Sequence, residues 1–163
     1  MKAIRTVLAP VDFSATSSVA LEYATDMARR CEASLHLLHV VTDADVSPGT
    51  EAFWGFSEDD VQQKWVTEAT AQLAALCPPD EHPPLQVVRA VEIGTPFVGI
   101  VRYVRTHDID LVVMGTHGRG AVQQLLLGSV AEQVVRQAPC PVLTVRNPNH
   151  TVEIPDAAGG LGL

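Results

Sequence analysis

Glycines are concentrated between two apolar segments in the last third of the chain. The segment GTHGRGAVQQLLLGS runs from Gly115 to Ser129 and holds four glycines, namely Gly115, Gly118, Gly120 and Gly128. Glycine costs backbone entropy, so this density indicates unusual backbone angles or a group that must come close to the main chain. Bare backbone N–H groups suit an anion such as a phosphate.

The spacing of these glycines excludes two common phosphate-binding loops. A P-loop ends in Gly-Lys-Ser/Thr, and no lysine follows Lys64 in the sequence. A dinucleotide fingerprint requires Gly-x-Gly-x-x-Gly, and Gln123 stands where the third glycine should be.

A different pairing of the glycines fits a phosphate chain. Gly115 and Gly118 follow a predicted strand, while Gly128 and Ser129 begin a predicted helix, whose N-terminus favours an anion. The alternative is structural: Gly115 ends a strand, Gly118 forms a turn, and Ser129 with Glu132 forms a capping box. Spacing alone leaves both interpretations open.

Composition excludes several classes of function. The chain has 163 residues, 47% hydrophobic and 18% charged, which indicates one globular domain. A formal net charge of −8 without a basic stripe argues against a nucleic-acid surface. The spacing of the three cysteines predicts neither a metal site nor a disulfide framework. Without a signal peptide or a membrane-length apolar run, we expect a cytoplasmic protein with no membrane partner.

Strand-like and helix-like patterns alternate along the chain. The predicted strands are 6–12, 34–41, 85–93, 110–115 and 142–146, and the predicted helices are 14–31, 57–76, one from Thr95-Pro96, and 129–138. This order predicts a doubly wound α/β fold with five parallel strands and helices on both faces. Ligands bind beyond the carboxyl ends of such strands, so Asp12 and Gly115 would face one crevice if their strands are neighbours.

Finer expectations concern caps, faces and boundaries. The first helix is predicted to bury Val19, Tyr23 and Met27 beside alanines, and Thr95 to cap the third helix. His36 and His39 lie three apart on one strand and face opposite sides, which argues against a shared metal site. Residues 42–56 form a long loop, the domain covers 1–147, and 148–163 form a tail that is mobile or contacts a partner.

The glycine spacing also carries a family resemblance. Gly115-x2-Gly118-x9-Gly128-Ser129, between DLVVMG and SVAEQVVRQAPCPVLTV, resembles the nucleotide-binding signature of the universal stress protein family. LAPVDFS and LLHVV resemble the first two strands of that family, and the likeness covers residues 4–146. Two departures occur: Gly120 stands where the family commonly has threonine, and Ala121 where it commonly has glycine.

The resemblance implies a fold, a ligand and a partner. The fold is a Rossmann-like sheet in the strand order 3-2-1-4-5. The ligand is ATP, with ADP or AMP as alternatives and Mg²⁺ on the phosphates. The partner is a second copy of the chain, paired through the edge strand Val142–Val145, because an exposed apolar edge has to be covered. No downstream protein partner is indicated.

The resemblance also assigns cofactor-binding residues by position. Those expected around the adenosine are Pro10, Val11, Asp12, the Val40 backbone, Met114 and Gly115, and those expected at the phosphates are Gly118, Arg119, Gly128, Ser129 and Val130. His117 lies in the same loop, where contact with phosphate and contact with water are both open. Asp12 has the structural alternative of capping the first helix.

The motif holds no lysine and no second carboxylate, so no catalytic residue is predicted. The favoured function is a nucleotide-dependent switch or binding module with little or no hydrolysis. A weak ATPase and a dimeric interaction module without nucleotide are the alternatives. We expect Gly128→Val to abolish ATP binding and leave the fold intact, because the side chain would fill the space of the phosphate.

Overall fold

The computed structural model describes residues 2–42, 58–77, 84–117 and 127–147. Within these residues, strands and helices alternate as predicted. The strands are β1 (Thr6–Pro10), β2 (Ser34–Val41), β3 (Val87–Ile93), β4 (Leu111–Gly115) and β5 (Val142–Val145), and the helices are α1 (Ala15–Arg30), α2 (Glu58–Ala75), α3 (Pro96–Thr106) and α4 (Ser129–Gln137). None of these helices has both the length and the apolar character needed to cross a membrane.

All five strands are parallel and lie in the order β3-β2-β1-β4-β5, which confirms the expected fold class. β1 and β4 are neighbours, with Val7 opposite Leu111 and Leu8 opposite Val112. The chain adds β2 and β3 on one side of β1 and then β4 and β5 on the other. The strand order therefore reverses at β1, where a doubly wound sheet binds its ligands.

Helices cover the sheet on both faces. Alternate strand residues point to opposite faces, so Val7 packs with the residues under α1 and α2, while Leu8 packs with those under α3 and α4. The helix α3 buries Ile100, Val101 and Val104, each no more than 7% exposed.

One expectation about α1 is wrong. Tyr23 is 54% exposed, and the buried stripe is made by Ala20, Ala24 and Ala28 with Leu21. The small alanine side chains allow the helix to pack close to β1 and β4, whereas a tyrosine ring on that face would hold it away.

One expected side-chain cap and one that was weighed as an alternative are also absent. Thr95 occupies the N-cap position of α3, but its side chain makes no cap hydrogen bond. The cap of α4 is Gly128, in extended backbone with φ −71° and ψ 155°, so Ser129 lies inside the helix and forms no capping box with Glu132. A glycine offers only its main chain at this boundary.

Candidate functional site

The chain leaves β1 through a short loop that is tied to β2. Pairing between β1 and β2 ends at Pro10 opposite Leu38, and the Val11 N–H then donates to the Leu38 carbonyl at 2.8 Å. Phe13 has φ 61°, a left-handed conformation that turns the chain sharply into α1. The loop therefore leaves the sheet in a defined direction.

Asp12 lies in this loop at the N-terminus of α1. Its Oδ1 accepts hydrogen bonds from the Ser14 N–H at 3.0 Å and from the Ser14 hydroxyl at 2.6 Å. Ser14 is the N-cap, and its Oγ accepts from the Ser17 N–H at 3.2 Å. The expected alternative, Asp12 as the cap, is therefore wrong in detail, because Asp12 orients the residue that caps. Its carboxylate also interacts favourably with the positive end of the helix dipole.

Val40 offers its main chain at the carboxyl ends of the strands, beside the β1–α1 loop. The Leu38 carbonyl faces β1, where it accepts from Val11, and the Val41 carbonyl faces β3, where it accepts from Gly94 at 2.9 Å. Backbone groups of successive strand residues alternate in direction, so those of Val40 face the β1 side, past the point where β1 ends. The Val40 side chain is 8% exposed and packs under α3.

Gly115 ends β4 and lies against the first turn of α1. A Cβ on Gly115 would be 2.9 Å from Thr16 Cγ2 and 3.3 Å from the Thr16 carbonyl carbon. The missing side chain therefore allows a helix to approach a strand, which is the structural interpretation of this glycine. Met114, the residue before it, is 5% exposed and packs on the opposite face, among the residues under α3 and α4.

Gly128 lies against the main chain that follows β4. Its N–H donates to the Thr116 carbonyl at 2.7 Å, and the Thr116 N–H donates to the Val145 carbonyl at 2.9 Å. A Cβ on Gly128 would be only 2.9 Å from the Thr116 carbonyl oxygen. The expectation that Gly128→Val leaves the fold intact is therefore wrong, because a side chain would meet this carbonyl and would disturb the junction itself.

His117 is half-buried beside the start of α4. Its Nδ1 lies 3.0 Å from the hydroxyl of Thr116, a residue that is 3% exposed. Its Cδ2 would be 3.9 Å from a Cβ on Gly128. The phosphate contact of His117 stays a prediction.

Two helix N-termini thus flank the segment that leaves β4. α1 reaches it through Thr16, and α4 reaches it through Gly128. The N-terminus of α1 already interacts with the Asp12 carboxylate, whereas the first-turn N–H groups of α4, including those of Ser129 and Val130, have no acceptor inside their helix. This arrangement favours an anion at α4 and a hydrogen-bond donor at Asp12.

Two expected site residues, Gly118 and Arg119, lie outside the described residues, as do the departures at Gly120 and Ala121 and the tail. Among the residues that the structure does describe, no group of three histidine, cysteine or acidic side chains could hold a metal ion.

The two histidines of β2 face opposite sides, as expected. His36 Nδ1 lies 3.0 Å from the Tyr103 hydroxyl under α3, and His39 Nδ1 lies 2.7 Å from the Val11 carbonyl oxygen on the α1 side. From the sequence alone, His39 was not connected with the β1–α1 loop. The available signal was His39 itself, a polar residue within the otherwise apolar run LLHVV.

Comparisons with known proteins agree with this architecture. The model of the universal stress protein family matches residues 3–146. Universal stress protein MJ0531 of Methanocaldococcus jannaschii is 31% identical over 146 residues, covering 87% of this chain and 82% of the relative. MJ0577 of the same organism is 26% identical over 158 residues, covering 88% of this chain and 95% of the relative.

Solved structures show the same fold. The structure of MJ0577 has a TM-score of 0.75 at 27% identity and covers 91% of this chain and 99% of its own. A universal stress protein solved in complex with cAMP has a TM-score of 0.59 at 23% identity, covering 88% of this chain and 98% of its own, and supports the fold alone. On the family match and these relatives, the chain belongs to the universal stress protein family.

Proposed function

We propose that this protein binds an adenine nucleotide at the carboxyl ends of β1, β2 and β4, with ATP as the first candidate and ADP or AMP as alternatives. The observation that carries the proposal is the hydrogen bond from the Gly128 N–H to the Thr116 carbonyl, which holds the start of α4 beside the end of β4. A helix start in that position offers its N–H groups to a phosphate. The glycine spacing that resembles the nucleotide-binding signature of the family falls on the same positions.

Electrostatics favours one orientation of the nucleotide. The Asp12 carboxylate repels phosphate but accepts hydrogen bonds from ribose hydroxyls, so the nucleoside lies near β1 and β2. The adenine edge then meets the Val40 backbone, which faces the side that β1 has left. The phosphates extend toward the N–H groups of Ser129 and Val130, where the helix dipole favours negative charge.

The proposed binding residues are those expected from the resemblance. Pro10, Val11, Asp12, Val40, Met114 and Gly115 surround the nucleoside, and His117, Gly118, Arg119, Gly128, Ser129 and Val130 surround the phosphates. Mg²⁺ would be held mainly by the phosphate oxygens. Main-chain N–H groups would stabilise the charge of the phosphates, and the motif Gly115–Ser129 holds no lysine or carboxylate that could assist hydrolysis. This favours binding over hydrolysis, with bound nucleotide acting as a switch.

A proline at position 129 tests the phosphate contact without adding a clash at Gly128. Proline is favoured at the first position of a helix, and the extended backbone of Gly128 is the conformation that a residue before proline adopts. Ser129→Pro removes one N–H and one hydroxyl. Ser129→Ala is the matched control, because it removes only the hydroxyl.

Calorimetry with ATP and with adenosine gives the decisive comparison. We expect Ser129→Pro to weaken ATP binding by about ten- to a hundredfold, the effect of one hydrogen bond to a charged group, with adenosine affinity and melting temperature unchanged. Ser129→Ala should weaken ATP binding less. Equal ATP affinity in Ser129→Pro and the unmodified protein would contradict the assignment of the phosphates to α4.

The unmodified protein separates the remaining alternatives. An interaction module without nucleotide gives no binding heat with ATP, ADP or AMP at millimolar concentration. A weak ATPase releases phosphate from saturating ATP with Mg²⁺ and not without it. We expect binding heat and no phosphate release above the rate in buffer.

We further propose a homodimer paired through β5, whose residue Leu143 is 38% exposed at the edge of the sheet. The proposed domain is 1–147, and the proposed role of 148–163 is contact with the second copy or another partner. The proposed location is the cytoplasm.

A further inference from the structure

His39 is a polar side chain buried beside the β1–α1 loop. It is 4% exposed, and its Nδ1 lies 2.7 Å from the Val11 carbonyl oxygen. A carbonyl oxygen only accepts hydrogen bonds, so His39 Nδ1 carries the proton and donates it. The ring centroid lies 4.6 Å from that of Phe13, at an interplanar angle of 38°.

β2 therefore holds both polar groups of Val11. The Val11 N–H donates to the Leu38 carbonyl at 2.8 Å, and the Val11 carbonyl accepts from the His39 side chain. The carbonyl of Val11 belongs to the peptide that joins it to Asp12. Fixing that carbonyl also fixes the direction of the Asp12 N–H, because the peptide unit is planar.

The residues after Asp12 are held by the same side chain. Phe13 has a left-handed φ of 61°, which is uncommon for a residue with a bulky side chain and persists when its surroundings determine it. The ring of His39 packs against the ring of Phe13 in this conformation. His39 thus contacts the residue on each side of Asp12.

An apolar residue would fill this buried position without the cost of burying an imidazole. The imidazole compensates for that cost with one directed hydrogen bond, and the group that receives it is the carbonyl before Asp12. We propose that His39 is a positioning residue, which acts through Val11 and Phe13 to hold Asp12 in the orientation that receives the nucleoside. This inference rests on the proposed nucleotide binding at the carboxyl ends of β1, β2 and β4.

Three substitutions separate the hydrogen bond from simple packing. The side-chain nitrogen of asparagine takes about the place of the histidine Nδ1, whereas that of glutamine takes the place of Nε2. His39→Asn keeps the donor, His39→Gln misplaces it, and His39→Leu removes it. Asp110→Asn is the stability control, because Asp110 precedes β4 at the amino-terminal ends of the strands, opposite the carboxyl ends where the nucleotide is proposed to bind.

Calorimetry of adenosine and ATP binding, with melting temperatures, tests the inference. We expect His39→Leu and His39→Gln to weaken both ligands by the same factor, roughly three- to tenfold for one neutral hydrogen bond. His39→Asn should bind within about twofold of the unmodified protein, although its melting temperature falls as well. Asp110→Asn should melt lower with unchanged affinity.

Amide NMR spectra without nucleotide give a second measurement. The Asp12 and Phe13 resonances should move in His39→Leu and His39→Gln and stay near their original positions in His39→Asn. If His39→Leu does not fold, the comparison of His39→Asn with His39→Gln decides whether the hydrogen bond to Val11 holds Asp12.

Two results overturn the inference and differ in meaning. Failure of the unmodified protein to bind adenosine or ATP removes the proposed function and the inference together. Binding by the unmodified protein with equal affinities in His39→Gln and His39→Asn leaves the proposed function standing and removes His39 from it.

Discussion

Gly128 and Thr116 make a main-chain contact with no room for a side chain on the glycine. The N–H of Gly128 donates to the Thr116 carbonyl at 2.7 Å, and a Cβ on Gly128 would lie 2.9 Å from the same oxygen. Such a Cβ would have to displace main chain, which adjusts less easily than the end of a side chain. The glycine is therefore needed to build the junction of β4 and α4, whether or not a ligand is present.

Gly128→Ala should consequently destabilise the protein. We expect a loss of about 1–3 kcal/mol in the free energy of unfolding, typical of overpacking at a tight contact. Chemical denaturation without nucleotide measures it. Ser129→Ala, one residue along and without a main-chain clash, is the control and should stay within about 0.5 kcal/mol of the unmodified protein. Equal stability of Gly128→Ala and the control would show that the junction relaxes freely.

Gly115 and Thr16 allow a double-mutant cycle at the other helix start. Gly115→Ala brings a Cβ to 2.9 Å from Thr16 Cγ2, and Thr16→Ser removes that methyl group. We expect Thr16→Ser to recover part of the stability lost in Gly115→Ala, because contacts of 3.3 Å with Thr16 main-chain atoms remain. Denaturation of the two single variants and the double variant measures the coupling, and additive losses would contradict a direct contact.

The sequence predicted the elements of the fold well because the strands are short, continuously apolar runs, covered on both faces, whereas the helices space their apolar residues with period 3.6. The strand order could not be predicted in this way, since neither pattern says which strands pair. The expected order came from the family resemblance. Tyr23 shows a limit of the helical pattern. Two stripes compete on α1, and the alanine stripe is the buried one because small side chains allow close packing on the sheet.

At the site, the sequence located glycines but could not say what their missing side chains face. That depends on the direction of each absent Cβ, which points at Thr16 for Gly115 and at the Thr116 carbonyl for Gly128. The contact of His39 with Val11 spans 28 residues of sequence and depends on the pairing of β1 and β2. Local patterns carry no information about such a contact.

His36 predicts a pH dependence of stability. Burial lowers the pKa of His36 below its usual 6.5, and the nearby His107 lowers it further. The unfolded chain therefore binds this proton more readily than the folded protein. The contribution of neutral His36 to the free energy of unfolding is thus fully present above about pH 6.5 and is lost as the pH falls toward the folded-state pKa.

His36→Asn keeps a partner for the Tyr103 hydroxyl and removes the titration. We expect the free energy of unfolding to fall less steeply below about pH 6.5 in this variant than in the unmodified protein. NMR titration of the imidazole gives an independent check, because His107→Asn should raise the pKa of His36. An unchanged slope in His36→Asn would contradict the prediction.

Asp110 predicts a second pH dependence, in the acid range. The hydrogen bond from Lys2, followed by the Arg5 N–H, lowers the pKa of Asp110 from 3.8 to about 2. The Lys2 Nζ lies 2.7 Å from Oδ1, and Oδ2 accepts from the Arg5 N–H at 2.9 Å. Because the folded state holds the charged form, this stabilisation is present above about pH 4 and is lost as the pH falls through 2.

Asp110→Asn should lower the free energy of unfolding at pH 7 by about 1–2 kcal/mol, because the amide loses the charged interactions that Asp110 makes at the start of β4. The difference between variant and unmodified protein should shrink below about pH 3. Denaturation curves across this range measure it, and a difference that does not depend on pH would show that the charge is not the cause.

The edge strand β5 makes the dimer testable. Leu143 is 38% exposed on β5, and Ile93 is 44% exposed on β3 at the opposite edge of the same sheet. A lysine on an edge strand opposes pairing with another strand, so Leu143→Lys should convert a dimer to a monomer. Ile93→Lys introduces the same charge at the other edge and should leave the dimer intact. Sedimentation at micromolar concentration measures both, and a monomeric unmodified protein, or equal dissociation in the two variants, would rule out pairing through β5.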